Sequence, residues 1–123
     1  MSVSNLDIQS SRSYADGFSF GETGPYRQLD GKVHFSVDPN AAPNAPITDL
    51  TLAPRNAAGM VSFSADFRIL QPVEPAKGNR KIFFDVVNRG NPLALKRINS
   101  GVDGDTPTAP MDPGNAYLLR QGY

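Results

Sequence analysis

The residues that could carry nucleophilic chemistry in this chain are one serine in a glycine-rich pentapeptide and a single histidine. Gly17-Phe18-Ser19-Phe20-Gly21 matches the G-x-S-x-G pattern, which holds a nucleophilic serine on a turn between a strand and a helix. Polar residues precede it and Gly24-Pro25 follows, so its flanks favour a flexible loop. His34 falls on the polar phase of an expected strand, without a neighbouring acid and nucleophile, so we interpret it as a surface residue rather than a general base.

A third candidate is Asn88-Arg89-Gly90-Asn91, which follows an apolar run. A glycine at the end of a strand lets backbone N–H groups turn toward a ligand. Sites in α/β sheets lie beyond the carboxyl ends of the strands. A simple turn explains the same residues, and spacing does not choose between the two interpretations.

The elements that would position these residues are mainly strands. Residues 26–38 and 60–70 alternate apolar and polar side chains, which predicts strands with one buried face. Residues 80–88 are almost continuously apolar, which predicts a central strand buried on both faces. Short helices are expected at 93–98 and 115–121. Residues 1–25 are interpreted as an N-terminal extension, with a possible edge strand and a Gly-rich loop, ahead of a β-rich domain over 26–123.

Composition narrows the classes of function. Eleven glycines and eleven prolines in 123 residues favour a loop-rich, strand-rich protein. A net charge of zero argues against nucleic-acid binding. The chain has no cysteine, and Asp103, Asp105 and Asp112 lack the spacing of a calcium loop, so we expect no metal and no cofactor. Neither a signal peptide nor an apolar run long enough for a membrane helix is visible, so a cytoplasmic location is the default expectation.

Several short stretches resemble one family when taken together. They span roughly residues 20–123 and are Gly24-Pro25-Tyr26, Leu29-Asp30-Gly31, Val37-Asp38-Pro39, Ile47-Thr48-Asp49-Leu50, Leu52-Ala53-Pro54-Arg55-Asn56, Gly59-Met60-Val61, Asp66-Phe67-Arg68-Ile69-Leu70-Gln71-Pro72, Val87-Asn88-Arg89-Gly90-Asn91 and Leu118-Leu119-Arg120-Gln121-Gly122-Tyr123. With these, the chain resembles the N-terminal portion of bacterial α/β-hydrolase domain-containing proteins, which are predicted hydrolases.

The resemblance implies an incomplete α/β-hydrolase-like fold, mostly β here, in which antiparallel strands lead to one central strand at 80–88. It implies serine-type hydrolysis of an ester or related acyl bond in a small-molecule substrate. In such folds the nucleophile, acid and histidine come later in the chain, beyond Tyr123. This chain alone is therefore expected to be inactive, with the missing C-terminal portion of the same fold as its partner. The backbone amides of Arg89 and Gly90 would be oxyanion donors, and Asn88, Arg89 and Asn91 would contact substrate.

The alternative is a free-standing small β-domain that binds a carbohydrate, a peptide or a partner subunit. Its binding surface would be built from exposed aromatic residues, namely Tyr14, Phe18, Phe20 and Tyr26. The exposure of residues 80–88 separates the two hypotheses, because a bare apolar run there favours the hydrolase fragment over the free-standing domain.

Overall fold

Three twelve-residue strands form a single antiparallel sheet in the order β1-β2-β3. They are β1 Ser2–Ser13, β2 Tyr26–Val37 and β3 Val61–Pro72. The structure is a computed structural model that describes residues 2–87, 90, 92–101 and 112–123. The strands predicted at 26–38 and 60–70 are thus confirmed, as is the edge strand near the N-terminus. Their period-two alternation identified them, because successive side chains of a strand point to opposite faces.

Cross-strand pairs fix the register of β2 against β3. The Lys32 ammonium lies 2.6 Å from the Asp66 carboxylate, and the Phe35 and Phe63 rings stack with their centroids 4.9 Å apart. Phe63 nevertheless remains 43% exposed. The expectation of a buried apolar face on β3 is therefore wrong over most of its length, because alternation specifies a strand but does not supply the layer that covers it.

Gly31 allows the close approach of β1 to β2. A Cβ atom at Gly31 would clash with the backbone oxygen of Asp7 and would lie 3.0 Å from the Phe67 ring. Because the clash is with backbone, a side chain here would require β1 to shift, so this position of β2 favours glycine.

The helices of the described residues are all short. Five are single 3-10 turns, at Ala15–Gly17, Gly21–Thr23, Ala42–Asn44, Leu50–Leu52 and Pro75–Lys77. The α-helices are α1 Ala94–Asn99 and α2 Tyr117–Arg120. They lie within the predicted ranges 93–98 and 115–121 to within one residue, and α2 is shorter than expected.

The predicted α/β-hydrolase-like fold is wrong for this structure. Residues 81–87, the core of the predicted central strand at 80–88, contain neither helix nor strand. A central strand needs hydrogen-bonded neighbours at both edges. The three strands in the described ranges pair only with one another, so the antiparallel sheet leaves residues 81–87 outside it.

The chain divides into two compact units. The first comprises the chain up to Ser10 together with Leu29–Arg68, and the second comprises Ser11–Gln28 and Ile69–Tyr123. The second unit holds a buried cluster, which we call the Tyr26 cluster; it consists of Tyr14, Phe20, Tyr26, Leu95, Ala116, Leu118 and Leu119.

Aromatic contacts hold the Tyr26 cluster together. The Phe20 ring meets Tyr26 edge-on at 5.7 Å between centroids and lies 6.0 Å from the Tyr14 ring. Such pairs add about 0.5–1.5 kcal/mol beyond the area they bury. Of the four aromatic residues predicted to form an exposed binding surface, three are thus buried, and only Phe18 is exposed, at 58%.

Candidate functional site

The G-x-S-x-G serine lies on an exposed loop. Ser19 sits between the 3-10 turns Ala15–Gly17 and Gly21–Thr23, and its backbone forms an isolated antiparallel bridge with Pro25. A nucleophile elbow needs a strand before the serine and a helix after it. Neither is present at Ser19, which agrees with the loop predicted from its flanks.

His34 lies on β2 in a shallow depression of about 350 Å³. The depression is also lined by Ser4, Phe35, Ser62, Phe63 and Ser64. The Ser4 hydroxyl donates to the backbone oxygen of His34 at 3.2 Å and does not engage the imidazole. Among the described residues no carboxylate lines the depression, so they bring no acid to His34 and form no triad there.

The predicted oxyanion and substrate-binding loop is described only at Gly90. Asn88, Arg89 and Asn91 lie outside the described residues, as do Asp103 and Asp105. Gly90 is described, and it is an exposed turn residue with φ +82° and no atom within 4 Å of an added Cβ. A positive φ suits glycine because a Cβ would strain that backbone conformation.

The most unusual surface is the run Lys81-Ile82-Phe83-Phe84-Asp85-Val86-Val87, which we call the exposed apolar segment. Its even-numbered residues are almost fully open to solvent, with Ile82 89%, Phe84 81% and Val86 80% exposed. Phe83 and Val87 are covered to about half, at 45% and 46% exposure. Exposure that alternates with a period of two is typical of extended backbone.

The backbone of most of the exposed apolar segment is unpaired in the described part of the chain. Among the described residues, no hydrogen bond reaches the N–H or C=O groups of residues 82–87. Lys81, which precedes them, donates its N–H to the Asn79 side-chain oxygen at 2.8 Å. The segment therefore resembles an edge strand without a neighbour, which is a surface prone to pair with another chain.

Specific contacts hold both ends of the exposed apolar segment. Before it, Asn79 donates its backbone N–H to the Gly122 oxygen at 2.9 Å and its side-chain amide to the Gln121 oxygen at 2.7 Å. Within it, the Phe83 ring meets the Tyr123 ring edge-on at 6.4 Å. These contacts present the segment in one position on the second unit.

Asp85 fixes the segment to the start of α1. Its Oδ2 accepts hydrogen bonds from the backbone N–H groups of Leu93 at 3.1 Å and Ala94 at 3.0 Å. A carboxylate that accepts from the free N–H groups of a helix N-terminus stabilises the helix. Sequence reasoning missed this role, and its signal was a single acid inside an apolar run.

The Tyr26 cluster borders this region through the end of the chain. The Tyr26 hydroxyl lies 3.0 Å from the Leu119 oxygen and 2.8 Å from the Tyr123 oxygen, either of which can accept its proton. Burial disfavours the phenolate and raises the pKa of Tyr26 from 10.0 to about 12. The hydroxyl is therefore a donor throughout the neutral range, and its role here is structural.

Comparisons with known proteins do not extend these observations. No family model, no curated protein and no solved structure matches this chain. The hydrolase resemblance therefore stays a prediction. In the part of the chain that is described, no group of three or more metal-ligating side chains occurs, and no helix has the length and apolar character needed to cross a bilayer.

Proposed function

We propose that this chain is an association module that binds a polypeptide in β conformation along the exposed apolar segment. The observation that carries the proposal is the alternating exposure of Ile82, Phe84 and Val86 on a backbone without hydrogen-bond partners. Binding of a partner subunit is one version of the alternative hypothesis drawn from the sequence. The binding surface proposed here is the exposed apolar segment and not the aromatic residues named for that alternative.

The chemistry of the segment selects a β-strand over other partners. A strand added at one edge satisfies the backbone groups of every second residue in 82–87, while alternate side chains supply apolar contact, as in β-strand addition. Burying one large apolar side chain contributes about 1.5–3 kcal/mol. A carbohydrate would satisfy the backbone groups but would leave Ile82, Phe84 and Val86 in contact with polar hydroxyls, so it fits this surface poorly.

The anchored ends favour a pre-formed binding surface. Because Asn79 and Asp85 hold the segment by hydrogen bonds, a partner does not have to order a free tail before pairing. Less conformational entropy is then lost on binding, which favours affinity.

Hydrogen–deuterium exchange tests this proposal directly. We expect the amides of residues 82–87 to exchange at nearly intrinsic rates in the dilute chain. A soluble peptide of alternating valine and threonine should slow them, whereas the same peptide N-methylated at every second residue should not. Slow exchange of residues 82–87 before any peptide is added would contradict the proposal.

A charged substitution gives a second readout. Phe84→Asp should lower the fluorescence of a bound hydrophobic dye and abolish peptide protection. The matched control is Leu52→Asp, since Leu52 is similarly exposed at 79% and lies on another surface. Equal losses of dye fluorescence and peptide protection in the two variants would indicate nonspecific adsorption to exposed apolar side chains and not a binding site.

Hydrolysis of an acyl bond is a second proposal, favoured by one observation. Gly90 turns the backbone through a positive φ three residues after the exposed apolar segment, where the resemblance implies oxyanion donors with Arg89. In this proposal the nucleophile, acid and histidine lie beyond Tyr123, as the resemblance implies. The described residues alone bring no such set together.

Ester turnover by a protein that includes the chain downstream of Tyr123 tests the second proposal. Loss of one oxyanion donor costs roughly 10²–10³-fold in kcat, and Gly90→Ala should approach this loss by displacing the loop. Gly59→Ala is the control, because Gly59 also has a positive φ, +76°, and open space around an added Cβ. Equal turnover in the two variants would remove the oxyanion role.

A further inference from the structure

We infer that the strand that pairs with the exposed apolar segment is the same segment of a second copy of this chain, antiparallel and centred on Phe83. This inference rests on the proposed association through that segment and names the partner. It follows from how charge is placed along residues 81–87.

The two charges of the segment cannot satisfy each other within one chain. Lys81 and Asp85 are four residues apart, so an extended backbone places them on the same face but about 13 Å from each other. Lys81 is exposed, and the second oxygen of the Asp85 carboxylate, Oδ1, has no hydrogen bond among the described residues. Each charge is therefore available to a partner.

An antiparallel pair centred on Phe83 places these charges opposite each other. Phe83 then faces Phe83 of the second copy, and each Lys81 lies directly across from an Asp85. The two-fold symmetry repeats the Lys81–Asp85 pair twice. Opposite charges directly across an antiparallel ladder stabilise it, and like charges destabilise it.

The same register matches the apolar residues. Ile82 of one copy lies across from Phe84 of the other, on the face where both are more than 80% exposed in the single chain. Centring the pair on Phe84 instead would set Phe83 against Asp85, and centring it on Asp85 would set two carboxylates against each other. Only the register centred on Phe83 matches charge with charge and apolar with apolar.

The contact is small, so the dimer should be weak. Seven residues on each side fall below the area typical of permanent interfaces, which indicates a transient dimer. The pairing is isologous, because each copy contributes the same segment and the same edge.

Disulfide trapping tests the register, since the chain has no cysteine of its own. We expect a mixture of Ile82→Cys and Phe84→Cys variants to form a disulfide-linked heterodimer under mild oxidation, because directly opposed residues lie within disulfide reach. Each variant alone should form few such links. Equal cross-linking of either variant with itself would overturn the register.

Sedimentation equilibrium tests the second copy itself. Wild-type chain should dimerise with rising concentration, and Lys81→Glu should weaken the dimer roughly ten-fold by turning two favourable pairs into two repulsive ones. Arg80→Glu is the control, because its register partner is Val86. A Lys81→Glu effect no larger than that of Arg80→Glu would contradict the Lys81–Asp85 pairing.

The two proposals fail in different ways. Suppose that the chain stays monomeric at all concentrations, that residues 82–87 exchange fast, and that the valine–threonine peptide protects them. This result would overturn the inference that a second copy is the partner, but it would leave the proposed association surface intact. Slow exchange in the monomer overturns both.

Discussion

The Tyr26 cluster and the exposed apolar segment are built from similar residues and have opposite environments. In the cluster, Phe20 and Tyr26 are 1% and 0% exposed, whereas in the segment Phe84 and Ile82 remain open to water. The cluster is surrounded by α2 and the end of the chain, and the Tyr26 hydroxyl has carbonyl acceptors. Among the described residues, the segment has neither a covering layer on its open face nor a second strand. What separates the two regions is the presence of a partner and not their hydrophobicity.

The largest expected effect comes from truncating one phenylalanine in each region. Phe20→Ala removes a buried ring from between Tyr14 and Tyr26 and should lower the free energy of unfolding by about 3–5 kcal/mol. Phe84→Ala should change it by less than about 0.5 kcal/mol, because little packing is lost. Urea denaturation of the two variants measures the difference. Similar losses would mean that the segment is as buried as the cluster.

The next largest effect is expected from removing the Tyr26 hydroxyl of the cluster. Tyr26→Phe leaves the carbonyls of Leu119 and Tyr123 without this donor and should cost about 1–3 kcal/mol. Tyr117→Phe is the control, since Tyr117 is 56% exposed and its hydroxyl stays in contact with water. Thermal unfolding monitored by circular dichroism compares them, and an unchanged midpoint for Tyr26→Phe would show that the bond contributes nothing.

Alkaline pH should weaken the cluster through the same residue. The pKa of Tyr26 is about 12 in the folded chain and 10.0 when exposed, so the unfolded chain loses its proton first. The stabilisation by the neutral hydroxyl is complete below about pH 10 and is lost as pH rises toward about 12. The stability difference between wild type and Tyr26→Phe, measured by urea titration, should therefore shrink over this range. A constant difference would contradict the assignment.

A smaller effect tests what holds the exposed segment in place. Asp85→Ala removes the acceptor for Leu93 and Ala94 and should cost about 0.5–2 kcal/mol, as for loss of a helix cap. Asp85→Asn keeps one oxygen acceptor and should recover part of that loss. Amide exchange at residues 93–99 is the local readout, and unchanged exchange in Asp85→Ala would show that α1 does not depend on the segment.

The smallest effect is expected on the open face of the segment. Val86→Thr replaces a methyl with a hydroxyl at a side chain that is 80% exposed, so the stability of the monomer should stay within about 0.5 kcal/mol. Its solubility should rise because the apolar surface shrinks. Light scattering at high concentration measures this, and a large fall in stability would show that Val86 is packed.

The sequence predicts the strands of the sheet better than it predicts what covers them. Alternation at Val33, Phe35 and Val37 identified β2 correctly, because the period of a strand is a local property. The continuous apolarity of residues 80–88 predicted a buried strand that is not formed. Whether such a run becomes a strand depends on a neighbour, and local pattern does not encode the neighbour.

The core and the candidate site also depend on contacts that a local sequence pattern does not predict. Tyr14, Phe20 and Tyr26 lie in or beside Gly-rich loops, where no periodicity marks a core, and their burial depends on contacts with α2 nearly a hundred residues later. The attachment of Asp85 to Leu93 and Ala94 is similarly a contact across a turn. Gly90 differs, because a turn was one of the two interpretations of a glycine after the apolar run, and Gly90 lies in a turn with a positive φ.

The attachment of Asp85 to α1 also makes the exposed segment and the helix thermodynamically linked. Pairing holds the Asp85 backbone in place, and with it the carboxylate that receives the Leu93 and Ala94 amides. A partner strand therefore stabilises α1, and by reciprocity anything that stabilises α1 strengthens the binding of the partner by the same factor. A ligand or substitution acting on residues 94–99 would in this way regulate association without touching the interface.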